Sequence, residues 1–230
     1  IQNYEFLQKA LFTAIIVGII SGVLGSFIIL RGMSLMGDAI SHAVLPGVAI
    51  SYMLGISYFY GGVVFGLLTA FGIGFITQNS RIKNDTSIGI VFSAFFAVGI
   101  ILIGKANTST DLTSILFGNV LAVRDSDMWI TLGVGIFVLL MIVLFFKEFL
   151  VSTFDPTLAA SFGLSNKLIH YGLMVLLTLV TVASLQTVGI ILVVAMLITP
   201  AATAYLLTNR LSHMIVISSI LGAVSAVIGL

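Results

Sequence analysis

The sequence predicts an all-α fold, a polytopic membrane helical bundle of about eight transmembrane helices that form one domain over residues 1–230. Three observations carry that expectation. Of the 230 residues, 60% are hydrophobic and only 7% are charged, whereas a soluble domain carries roughly 25% charged residues to cover its surface. Mean hydropathy is +1.26, and the apolar residues fall in runs near the ~20 needed to cross a bilayer core. No run of alternating hydrophobicity marks a barrel strand, and a lone strand leaves its backbone unsatisfied in lipid, so the runs read as helices. A formal net charge of +1 with no basic block excludes a nucleic-acid grip. The absence of cysteine excludes disulfides and thiolate metal sites.

Eight apolar runs follow in order. The first, 10–30, is too long for the apolar core of a signal peptide and has no A-x-A-like site after it, so cleavage is not expected. It stacks Gly18, Gly22 and Gly25 along one helix, spacing that lets backbones approach closely; packing within one chain is the expectation rather than a dimer seam. The second run, 38–54, is short and contains Pro46. The third, 58–77, opens with Tyr58 and Tyr60 and carries Gly62 and Gly66. The polar break Gln78–Thr86 separates it from the fourth, 87–104. The connection Lys105–Asp127 is mostly apolar over 112–123, which predicts a short helix lying against the bundle. The fifth run, 128–146, begins beside Trp129. After the connection Lys147–Lys167 come the sixth, 168–184, also short, the seventh, 188–207, with Pro200 in MLITPAATAY, and the eighth, 212–230.

With the N-terminus outside, Arg31, Arg81, Lys83, Lys147, Lys167 and Arg210 fall on the inner side, against Lys9, Lys105 and Arg124 outside. That is the bias expected of cytoplasmic connections, and Tyr58, Tyr60 and Trp129 then sit at outer span ends, where aromatic belts form.

Within the second run, GDAISHAVLPG (37–47) places Asp38 four residues before His42, hence on one helical face. Ionisable groups at membrane depth are costly and face a cavity, a partner or an ion. Two readings stand at this point. Asp38 caps the helix after Gly37 and His42 bonds nearby, or the carboxylate and imidazole are ligands for a first-row divalent ion. Two ligands are too few for a stable site, and a two-fold pair of chains would supply four.

The run ILRGMSLMGDAISHAVLPGVAISYMLG resembles the second-span signature of bacterial metal-importing ABC permeases, the ABC-3 family that takes up manganese, zinc or iron. The likeness continues through NDTSIGIVFSAFFAVGIILI, STDLTSILFGNVLAV and VGIILVVAMLITPAATAYLL. It implies that Asp38 and His42 line the ion path. It also implies partners: a second copy of the chain, two ATP-binding cassette ATPase subunits, an extracellular metal-binding lipoprotein and the lipid bilayer. Full-length members continue past the position of Leu230 with another apolar segment and a basic tail, so the C-terminus is expected to be incomplete.

The resemblance gives a role to FDPTLAASFGL, residues 154–164. Read alone, this is a surface helix with Pro156 in its first turn. In the family it is the element that docks into a groove on the ATPase, which assigns that coupling to Phe154, Asp155, Pro156, Leu158, Ala159, Phe162, Gly163 and Leu164. Leu158, Phe162 and Leu164 are the expected apolar anchors. The chain has no G-x-x-x-x-G-K-[ST] loop, so ATP hydrolysis is expected in a separate subunit and no catalytic residue in this one. His170, His213 and the outer carboxylates Asp111, Asp125 and Asp127 read as solvated groups at span ends.

The function expected is import of a divalent metal by alternating access in a homodimer, with no permanently bound cofactor. The mixed carboxylate and imidazole set favours Mn²⁺ as cargo over Zn²⁺ or Fe²⁺. Two alternatives differ in class: a secondary proton-coupled carrier, and an ABC importer of large iron or cobalt chelates, in which the Asp–His pair has no purpose.

Overall fold

The computed structural model describes residues 2–105 and 124–229. The helices are α1 (Gln2–Leu30), α2 (Ser34–Ala43), α3 (Leu45–Leu54), α4 (Tyr58–Asn79), α5 (Asn84–Lys105), α6 (Asp125–Leu144), α7 (Phe146–Phe154), α8 (Pro156–Ser161), α9 (Asn166–Val188), α10 (Ile190–Leu207) and α11 (Leu211–Ile228). Among the described residues there is no strand, and 7 helices are long and apolar enough to span a membrane. These are α1, α4, α5, α6, α9, α10 and α11.

The second expected run, 38–54, is the one that departs from a simple span. Residues 38–54 lie in two helices, α2 and α3, joined through Val44. Pro46 has no N–H to donate to the His42 carbonyl one turn back, so the ladder is interrupted at this point. α3 ends at Gly55, whose φ of 68° is the left-handed conformation that glycine adopts without strain. The apolar stretch 112–123 and Asp111 lie outside the described residues.

α1 and α9 form the centre and are mostly buried, whereas α5 and α6 present broad faces outward. α1 packs along α11 and α10. Its glycines explain how closely: a Cβ on Gly18 would lie 2.5 Å from the Gly222 carbonyl oxygen, and one on Gly22 would lie 2.6 Å from that of Ser218. Ser218 Oγ donates to the Gly22 carbonyl at 2.9 Å across the seam. Gly62 and Gly66 similarly face Val182 and Thr178, so both glycine stripes serve packing within the chain, as expected. The core gathers Leu24, Phe27, Ile28, Met36, Ile40 and Leu177.

Polar contacts tie the helices together at each end of the bundle. Lys9 Nζ pairs with Asp125 Oδ1 at 2.6 Å, joining the ends of α1 and α6 assigned to the outside. At the opposite end of α1, Arg31 donates from Nε to Thr153 Oγ1 and from Nη2 to Ser152 Oγ, both at 3.0 Å. Trp129 and Tyr60, near the starts of α6 and α4, are each 65% exposed.

Candidate functional site

The site is built on α2, at the middle of the fold, where that helix touches α5, α9 and α10. α1 stops at Leu30, Gly32 turns the chain with φ of 65°, and α2 begins at Ser34. Asp38 is thus the fifth residue of α2, and no side chain caps that helix. The capping explanation for Asp38 therefore fails: it sits five residues past the N-cap position, Met33, inside the helix rather than ahead of the N–H groups that a cap would satisfy.

His42 stands one turn further on, its Nε2 3.4 Å from Asp38 Oδ1. The Asp38 side chain is 47% exposed and that of His42 21%, so the pair opens at the surface of the single chain. Phe92 and Phe96 of α5 meet the imidazole edge to face, each with ring centroids 5.6 Å away. His42 Nδ1 is buried without a hydrogen-bond partner, so Nε2, which faces Asp38 Oδ1, is the nitrogen placed to share a ligand with that carboxylate. Gly37 allows this placement, since a Cβ there would fall 2.4 Å from Leu197 Cδ2 of α10.

The spacing suits metal ligation. Ligand bonds of about 2.1 Å put two donors ~3.0 Å apart at a right angle and ~3.4 Å apart at the tetrahedral angle. The observed separation is within reach of both geometries, so distance does not choose between zinc and a six-coordinate ion. Among the described residues, no group of three or more His, Cys, Asp or Glu side chains could hold a metal ion. One chain offers an Asp–His pair on an open face and no third ligand of those kinds beside it.

The 154–164 segment is not one continuous helix. α7 ends at Phe154, Asp155 breaks the helical path with φ of −142° and ψ of 86°, and α8 runs only from Pro156 to Ser161. Asp155 Oδ1 accepts from the backbone N–H of Thr157 at 3.1 Å and of Leu158 at 2.9 Å. The Thr157 hydroxyl, then the Leu158 and Thr157 N–H groups, hold the Asp155 carboxyl below its ordinary value, because all three favour the charged form. Gly163, with φ of 78°, closes the other end, where Leu164 N–H donates to the Ala159 carbonyl at 3.0 Å. Phe154, Leu158 and Phe162 are exposed and Ala159 is fully buried. Leu164, an expected anchor, is half-buried, and Phe154 takes its place in the exposed apolar set. The four-residue spacing of 154, 158 and 162 was the signal for it.

The remaining expected residues lie apart from the pair. His213 is exposed at the start of α11, and His170 is half-buried near the start of α9, edge-on to Tyr171. Asp125 is engaged by Lys9, and Asp127 Oδ1 accepts from Ser126 Oγ at 3.4 Å.

Residues 3–230 match the model of the ABC 3 transport family. This chain belongs to the ABC 3 transport family. It is similar to the manganese transport system membrane protein MntC of Listeria monocytogenes, with 71% identity over 230 residues, spanning 100% of this chain and 82% of that protein. It is also 62% identical to the manganese import system permease protein ScaB of Streptococcus parasanguinis over 230 residues, spanning 100% and 82% of the two chains. Among solved structures it superimposes on PsaBC from Streptococcus pneumoniae in complex with Fab, with a TM-score of 0.88 and 61% identity over 99% of this chain and 82% of that one. The ABC 3 chain is accordingly a multi-pass permease of the bacterial cytoplasmic membrane, of the branch that includes manganese permeases.

Proposed function

We propose that two copies of this chain form the membrane pathway of an ATP-driven manganese importer. The observation that carries the proposal is the Asp38–His42 pair on an outward-opening face of α2, with its donors 3.4 Å apart. A two-fold partner presenting the same pair supplies two carboxylates and two imidazoles, and water completes the shell. Such a mixed, partly hydrated set holds an ion transiently, as transport requires.

In this mechanism an extracellular lipoprotein delivers the ion above the two-fold axis, and the four side chains receive it. Two ATPase subunits dock on Phe154, Leu158 and Phe162, and their ATP-driven closure moves the bundle so that the ion faces inward. Zinc or iron would travel by the same route, and the relatives named for manganese favour that cargo. The ATPase separates this reading from a proton-coupled carrier: a nucleotide-binding subunit co-purifies in equal number only in the first.

The test is metal accumulation in cells with and without the permease. Deletion is expected to lower cellular manganese and to cause a growth defect that added manganese corrects. A deletion strain short of zinc alone, with manganese unchanged, would show the assignment to be wrong.

A further inference from the structure

Besides the Asp38–His42 pair and the exposed docking residues, a polar contact at one end of α1 joins parts of the chain far apart in sequence. Arg31 follows the last residue of α1 and precedes α2 by three positions. Its guanidinium reaches across to α7, where Ser152 Oγ and Thr153 Oγ1 each accept from it at 3.0 Å. Thr153 Oγ1 in turn donates to the Phe149 carbonyl at 2.6 Å, so the contact is anchored in the backbone of α7. Phe154, the first of the exposed docking residues, comes next in the chain.

The other side of the contact is equally short. Arg31 N–H donates to the Phe27 carbonyl at 3.1 Å, Gly32 N–H to that of Ile29 at 3.0 Å, and Met33 N–H to that of Ile28 at 2.9 Å. The turn between α1 and α2 is therefore tightly closed, with Met33 buried at 2% exposure. Asp38 lies four residues into α2, about 6 Å along its axis at 1.5 Å per residue. Apolar packing of Phe27 on Phe149, with centroids 5.7 Å apart, holds α1 against α7 but tolerates sliding, because dispersion contacts are individually weak and undirected. The forked guanidinium is directional and fixes register between the two segments.

We infer that Arg31 is the positioning residue that transmits movement of the ATPase-docking segment to the metal-bearing helix, by clasping the Ser152 and Thr153 hydroxyls of α7. This rests on the importer reading above and adds to it the route by which docking and ion release are joined. Displacement of α8 carries α7 with it, and Arg31 passes that displacement to the α1–α2 turn and so to Asp38 and His42. Loss of the clasp leaves both binding functions in place and disconnects them.

The test uses the complete transporter, permease with its ATPase subunits, reconstituted in vesicles, and measures manganese imported per ATP hydrolysed. Arg31→Ala, and separately Ser152→Ala with Thr153→Val, are expected to keep the ATPase bound with an unchanged KM for ATP and basal hydrolysis, and to lower the ratio about tenfold. Combining the two sets is expected to be no worse than either alone, since both remove one interaction. Arg31→Lys, which keeps the charge without the fork, is expected to fall between. A wild-type ratio in the hydroxyl variant, losses that multiply when combined, or assembly and hydrolysis falling together with transport would each overturn the inference. The hydroxyl variant leaves the arginine in place and tests the clasp even if Arg31→Ala fails to fold. A wild-type complex that hydrolyses ATP without importing manganese would instead overturn the importer reading, and the inference with it.

Discussion

Replacing Phe162 by alanine tests the docking surface with little disturbance to the permease itself. The side chain is 72% exposed, with Phe154 at 60% and Leu158 at 45%, so the two phenylalanines are mostly uncovered by their own chain and Leu158 nearly half so. Burying a Leu or Phe side chain completely contributes about 1.5–3 kcal/mol. Scaled by the exposed fraction, sealing Phe162 into a groove on the ATPase supplies about 1–2 kcal/mol. At a factor of ten per 1.4 kcal/mol, Phe162→Ala is expected to weaken ATPase binding about 5- to 30-fold. Leu158→Asp should do more, because it places an unpaired carboxylate in the apolar contact at roughly 3–5 kcal/mol. The assay is titration of purified ATPase subunit onto permease in nanodiscs, with thermal unfolding of the permease alone as the control for folding. Affinities within twofold of wild type for both variants would refute the reasoning and leave 154–164 an ordinary surface segment.

The α1–α11 seam should be intolerant of any added atom. Gly18→Ala forces a Cβ to 2.5 Å from the Gly222 carbonyl oxygen, and overpacking of this kind costs about 1–3 kcal/mol, read as a lower unfolding midpoint in detergent. Gly133→Ala, where a Cβ meets nothing within 4 Å, is expected to leave the midpoint unchanged or raise it, by up to about 1 kcal/mol of helix propensity. Asp155→Ala removes the cap of α8, so hydrogen exchange of the 157–161 amides should accelerate. Because the Asp155 carboxyl is held below its ordinary value, the cap is fully present above the unfolded carboxylate range near 3.9 and is lost only as pH falls below it. Docking measured between pH 5.5 and 8 should show no titration from this group, and one with a midpoint inside that window would contradict the assignment.

Much of this architecture was legible because lipid leaves few choices. Once charge is at 7%, backbone satisfaction demands helices, and the spans can be counted from the apolar runs. The Asp38–His42 pair was legible for the same reason, as an acid and an imidazole one turn apart in an apolar run. The exposure of their face could not be read, because it depends on α5 and α10 packing against α2. The division of 38–54 was signalled by Pro46 but not located, since a proline kinks some membrane helices and ends others. Capping of α2 was misplaced in one of the two readings: Gly37 suggested a boundary, yet its role is close approach to Leu197. The clasp between Arg31 and α7 had no sequence signal at all, joining hydroxyls more than a hundred positions away.

The central claim is that Asp38 and His42 carry the ion, and ATP-driven uptake of radiolabelled manganese into vesicles containing the whole transporter tests it most directly. Asp38→Ala and His42→Ala each remove a ligand from both copies at once. Losing even a residue that merely supports a ligand costs 10- to 100-fold, so each variant is expected to reduce uptake by at least about 100-fold while permease and ATPase still purify together. Wild-type uptake in both variants would contradict the account.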